Sequence, residues 1–157
     1  DIFAHRGLTR SFHTNTTSAS QRQVLELARG RADGLIFANF IDFDMLYGHR
    51  RDARGYAAAL EQTDLFFNDL LAVLRSDDWL IITADHGNDP TFHGTDHTRE
   101  YVPLLAYQPV RPGRSLGIRN GFYDVAQSLA TIFGLPPMPR GVSFVKREGA
   151  WSVERKA

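Results

Sequence analysis

Three clusters of aspartate and histidine in this chain have the residue types needed to hold a metal ion. The first is Asp42-Phe43-Asp44-Met45-Leu46-Tyr47-Gly48-His49, the second is Thr83-Ala84-Asp85-His86-Gly87-Asn88-Asp89, and the third is His93-Gly94-Thr95-Asp96-His97-Thr98. Four of the six histidines lie between positions 49 and 97, each close to an aspartate. Mixed carboxylate and imidazole donors suit borderline divalent ions such as Mn2+ or Zn2+. The chain has no cysteine, which excludes thiolate zinc knuckles and disulfides and is compatible with a reducing compartment. Two such ions side by side could clamp a phosphoryl group and polarise its oxygens.

Taken singly, each cluster has an ordinary explanation. Asp42 or Asp44 could cap a turn, Asp85-His86-Gly87 could form an Asx turn at a strand exit, and His97 could simply face solvent. Together they argue for a metal site, because two of them follow directly on apolar segments that read as strands. Open α/β sheets place ligands beyond the carboxyl ends of their strands. His5 and His13 have no acidic neighbour and keep the ordinary reading. The basic run His49-Arg50-Arg51-Asp52-Ala53-Arg54 opens a helix. It could bind phosphate through amides and guanidinium forks, or form a solvated helix end balanced by Asp52 and Glu61.

The elements that would position these residues alternate. A helix is predicted from Ser18 or Ser20 to Arg29, with Gly30 as its stop and Val24, Leu25, Leu27 and Ala28 packed. Gly34 to Phe40 is a nearly continuous apolar run, as expected of a strand covered on both faces. Asp52 caps a helix to about Arg75, with Tyr56, Leu60, Phe67, Leu71 and Leu74 as its stripe. Strands are predicted at 79–84 and 102–107, separated by a long polar stretch of the kind that is more often functional. A last helix runs from Phe122 to Phe133 with Val125, Ala126, Leu129 and Ile132 inward, ended by Gly134 and Pro136-Pro137. The tail adds a short strand at 142–145 and then becomes charged and frays. The expected fold class is α/β, a mostly parallel sheet flanked by helices.

Composition narrows the partners. With 157 residues the chain is long enough to bury a core. Lys plus Arg number 18, as do Asp plus Glu, so no basic excess favours nucleic acid or an anionic membrane. An anionic substrate would be held by local charges or metals. No long apolar run or charged leader is present, and the expected location is the cytoplasm. The opening Asp1-Ile2-Phe3, with no initiator Met, reads as an interior start.

The strings Asp42 to Asp52, Thr83-Ala84-Asp85-His86-Gly87-Asn88-Asp89-Pro90 and Gly94-Thr95-Asp96-His97-Thr98-Arg99-Glu100-Tyr101-Val102-Pro103 closely resemble bacterial phosphopentomutases, of the alkaline phosphatase superfamily. Asp1-Ile2-Phe3-Ala4 and Gly141-Val142-Ser143-Phe144 look like the same family, so the likeness spans essentially the whole chain. It implies that residues 1–157 are the carboxy-terminal part of an alkaline phosphatase-like core domain. It further implies two divalent ions, typically Mn2+, with Asp44, His49 and His97 on one and Asp85 and His86 on the other. Asp42 and Asp89 would be structural groups or orient ligands, and His93 falls where members are expected to vary and is not counted as a ligand. His5 stands where a small residue is expected. The resemblance implies a pentose phosphate substrate, interconverted between its 1- and 5-phosphates through a phosphothreonine. That nucleophilic threonine, a further aspartate ligand and the substrate-binding cap domain would lie in an amino-terminal part outside this chain. The catalytic nucleophile is therefore not expected among these residues, and substrate contacts are unassigned. Two other classes stay open: another metalloenzyme of the superfamily, such as a phosphoglycerate mutase or phosphohydrolase, and a non-catalytic metal-binding fragment.

Overall fold

A computed structural model describes residues 2–146. They form two compact units with the division between Arg111 and Pro112.

In the first unit, helix α1 spans Thr17–Arg29. It starts slightly before the predicted serines because Thr16 is the cap, its hydroxyl accepting from the Ala19 amide at 3.2 Å. Helix α2 spans Ala53–Leu71 and is capped as predicted by Asp52, whose carboxylate accepts from the Gly55 amide at 2.8 Å. It ends before Arg75. Arg75 instead pairs with Asp78 at 2.9 Å in the connection that follows. The hydrogen bond from Arg75 holds the Asp78 carboxyl below the usual carboxylate range.

The buried stripe of α2 is Thr63, Phe66 and Leu70, offset from the predicted one, and Leu60 and Leu71 are exposed. The offset follows from what α2 meets. Gln21 of α1 donates to the Thr63 hydroxyl at 3.1 Å, and Phe40 sets its ring edge against Phe66 with centroids 5.9 Å apart. A threonine therefore occupies a packing position that apolarity alone would not have selected.

Strands β1, Leu80–Thr83, and β2, Leu104–Tyr107, form an antiparallel pair in the register Leu80 to Tyr107 and Thr83 to Leu104. This corrects the expected mostly parallel sheet: among the described residues these are the only strands, and they run oppositely. Residues 34–40 form no strand, and Leu35 and Phe37 are more than half exposed. A strand is stabilised by the neighbour that takes its amides and carbonyls. No described segment offers that pairing to residues 34–40.

The second unit is built on helix α3, Tyr123–Ile132. Its buried positions include Asp124 and Ser128, which hold the tail in place of a strand ladder. Asp124 accepts from the Val142 amide at 2.8 Å and pairs with Arg119 at 3.3 Å. The fully buried Ser128 hydroxyl donates to the Asp124 carbonyl at 2.7 Å and accepts from the Phe144 amide at 2.9 Å. Residues 142–145 are thus fixed by side chains and form no strand, with Phe144 and Val145 buried. The expected fraying of the charged end lies outside the described residues.

Candidate metal centre

The first cluster is shaped by a feature with no sequence period. Residues Phe43–Gly48 form a π-helical turn, closed by the His49 amide donating to the Asp44 carbonyl at 3.0 Å. In an α-helix, residues five apart point about 140° away from each other. The wider π-turn brings Asp44 and His49 to the same side, and His49 Nε2 lies 3.3 Å from Asp44 Oδ2. Arg51 then adopts φ +57° as the chain turns into α2. Phe43 packs on Tyr56 of α2 with centroids 5.4 Å apart. Burial, and secondarily the nearby Asp44 charge, raises the Tyr56 hydroxyl above its ordinary pKa.

Asp42 faces the other way. Its carboxylate accepts from the Thr17 amide at 2.8 Å, while its own amide donates to the Thr17 hydroxyl at 3.3 Å. It ties the π-turn to the start of α1.

The second and third clusters meet through an antiparallel bridge between Gly87 and Thr98, in which the Thr98 amide donates to the Gly87 carbonyl at 3.1 Å. The Thr98 hydroxyl accepts from the Asp89 amide at 2.7 Å and donates to the Glu100 carboxylate. The Asp89 carboxylate caps its own turn, accepting from the Thr91 amide and hydroxyl, which lower its pKa. This bridge lays the His86 ring flat on His97, with centroids 3.7 Å apart and planes 18° from parallel.

The converging atoms come from all three clusters. Asp44, His86 and His97 each offer a ligand atom within 4.8 Å of the others. His97 Nε2 is 3.3 Å from Asp44 Oδ1 and 3.2 Å from His49 Nε2. Donors about 2.1 Å from a common ion stand roughly 3 to 4 Å apart, so these separations fit a coordination shell. The imidazole tautomers fit too. His49 Nδ1 meets the Thr95 carbonyl and His86 Nδ1 meets the Gly87 carbonyl at 3.2 Å. A carbonyl only accepts, so each Nδ1 carries a hydrogen, which in the neutral ring leaves Nε2 with the lone pair that a metal takes. His49 Nε2 then faces His97 Nε2 at 3.2 Å, where it can accept a hydrogen bond from His97 or share a cation with it.

Asp85 is the outlying member of the predicted set. It is exposed, 3.7 Å from His86 Nε2. His93 lies tilted against Phe92, 4.5 Å between centroids. Sequence reasoning passed over Asn88 and Thr98. The Asn88 amide donates to Asp44 Oδ1 at 2.6 Å. Both residues sat inside the quoted strings, but only their partners reveal what they do.

Gly87 makes the bridge possible. A Cβ there would stand 2.7 Å from both the Thr98 carbonyl oxygen and the Glu100 amide nitrogen, which are backbone atoms that cannot swing aside. Gly87→Ala is expected to part the His86 and His97 rings and weaken divalent-metal binding by about 10-fold or more, the scale of disturbing a ligand's supports. Isothermal titration checks this, and unchanged affinity would contradict it.

Comparison with known proteins agrees with this chemistry. Residues 2–137 match the Metalloenzyme superfamily. The chain belongs to that superfamily. Its members' metal dependence and the converging donors both point to divalent metal binding. Among curated relatives, the phosphopentomutase of Rhizobium johnstonii is 49% identical over 146 residues, covering 92% of this chain and 36% of that protein. The phosphopentomutase of Caldanaerobacter subterraneus subsp. tengcongensis is 48% identical over 147 residues, covering 93% and 37%. That of Shewanella oneidensis is 49% identical over 146 residues, covering 92% and 36%. This metalloenzyme chain therefore spans a little over a third of the length of the curated relatives it matches. No helix among its described residues is long and apolar enough to cross a membrane.

Proposed function

We propose that the chain is the carboxy-terminal part of a phosphopentomutase and supplies most of its metal ligands. The observation that carries the reading is the convergence of Asp44, His49, His86 and His97 from three separate segments, in a chain nearly half identical to phosphopentomutases. Asp44, His49 and His97 hold one ion; His86 with Asp85 contributes to a second. Mn2+ is the ion expected at both. The bound ions supply charge neutralisation and Lewis acidity to a phosphoryl group. The residues of this chain hold their donors in place beforehand: the π-turn aligns Asp44 with His49, carbonyls fix two imidazole tautomers, and the Gly87–Thr98 bridge stacks His86 on His97.

The intact enzyme interconverts ribose 1-phosphate and ribose 5-phosphate, and the deoxyribose pair, in the cytoplasm. The nucleophilic threonine, a further aspartate ligand and the cap over the sugar lie outside residues 1–157.

The test is a coupled assay of the intact protein with Mn2+, offering ribose 5-phosphate, phosphoglycerate and nitrophenyl phosphate in turn. Turnover of the pentose phosphate is expected to dominate, with none from the 157-residue chain alone. Preference for phosphoglycerate or nitrophenyl phosphate would overturn the assignment in favour of another branch of the superfamily. Sustained pentose phosphate turnover by the short chain would contradict the missing nucleophile.

A further inference from the structure

Asp44 faces two imidazoles in the centre. Its Oδ2 faces His49 Nε2 and its Oδ1 faces His97 Nε2, each at 3.3 Å. A carboxylate on a short side chain can rotate away from such neighbours unless something grips it. In this structure the grip comes from Asn88, whose amide nitrogen donates to Oδ1 at 2.6 Å. A hydrogen bond this short to an ionised acceptor is of the stronger, charge-assisted kind.

Asn88 is itself held by a close approach that only glycine permits. Gly48 is buried at the end of the π-turn. A Cβ added to it would fall 2.2 Å from the Asn88 amide nitrogen, 2.5 Å from its amide carbon and 2.7 Å from its amide oxygen. The amide therefore lies flat against the Gly48 backbone, between the segment that carries Asp44 and the one that carries His86.

We infer that Asn88 is a positioning residue for the metal centre. It locks the Asp44 carboxylate in its ligand orientation and couples the first cluster to the second, with Gly48 present to leave room for its amide. The inference rests on the proposed metal site and assigns a role to two residues outside the ligand set. Asn88 does not need to touch the ion, because its effect passes through Asp44. Outer partners of this kind set ligand orientation and basicity, and their loss costs about 10- to 100-fold in metal affinity.

The experiment measures Mn2+ affinity of the intact protein by isothermal titration, with the melting temperature of the metal-free form recorded beside it. Asn88→Leu keeps the branched heavy-atom shape of the side chain and removes the donor, and Asn88→Ala removes both. Each is expected to bind Mn2+ about 10- to 100-fold more weakly while melting close to the parent when metal-free. Gly48→Ala reaches the same bond from the other side by displacing the amide, and is expected to give a similar loss. Because Asn88→Ala also vacates the space the new methyl needs, the Gly48→Ala, Asn88→Ala double variant should be no worse than either single one.

A folded Asn88→Leu or Asn88→Ala protein that binds Mn2+ within about twofold of the parent would overturn the inference. So would losses that simply multiply in the double variant. If the parent itself fails to bind Mn2+, the metal-centre reading falls and this inference with it. Normal parent binding together with unaffected variants removes only the role of Asn88.

Discussion

Asp44→Ala is expected to cost the intact protein more than about 100-fold in Mn2+ affinity, beyond what losing an outer partner costs, and with it the proposed mutase turnover. Asp44 is the carboxylate in the group of converging donors, and its two oxygens each stand 3.3 Å from an imidazole nitrogen. Without it, the converging group is left with imidazoles and no carboxylate. His97 Nε2 and His49 Nε2, 3.2 Å apart, lose the negative charge that makes a cation favourable between them. Metal retained after dialysis and measured by elemental analysis gives the check. A purely hydrogen-bonded, structural cluster predicts otherwise: the variant would lose thermal stability in the absence of metal and keep whatever Mn2+ the parent holds.

The second large effect lies in the tail clamp. Asp124→Ala is expected to destabilise the second unit by about 3 kcal/mol. The substitution removes the acceptor for the Val142 amide and the carboxylate that pairs with Arg119. Arg119 is three-quarters buried, its guanidinium carbon lies 5.7 Å from the Phe144 ring centroid, and its Nε has no hydrogen-bond partner among the described residues. Its charge would then have little to compensate it. Ser128→Ala is the milder companion, leaving the Phe144 amide without its acceptor for about 1 to 3 kcal/mol. Urea denaturation followed by tryptophan-independent far-ultraviolet dichroism measures both. An Asp124→Ala change below about 0.5 kcal/mol, the range of an ordinary surface substitution, would show that the tail is held by something else.

The parts of this architecture legible beforehand were those that leave a pattern along the chain. The three helices could be read from apolar spacing and caps, with Asp52 in its predicted place and Thr16 taking the role given to nearby serines. The clusters could be read because aspartate and histidine gather visibly in the chain, and Asp44, His86 and His97 come together in the fold. The stripe of α2 was misplaced because Thr63 packs through a hydrogen bond with Gln21, which apolarity does not register. The strand at residues 34–40 was overread because an apolar run signals burial, whereas a strand needs a paired neighbour. The π-turn was invisible, since six residues carry no period that separates it from a helix or a loop. Asn88, Thr98 and Gly48 were illegible for a related reason: polar loop residues and glycines take their meaning from the atoms they meet.

The most direct measurement is a Mn2+ anomalous difference map from crystals of the intact protein grown with the ion. The account predicts a peak about 2 Å from Asp44, His49 Nε2 and His97 Nε2, with a second beside His86 and Asp85. No peak at these residues, or one held by a different set of side chains, would contradict it.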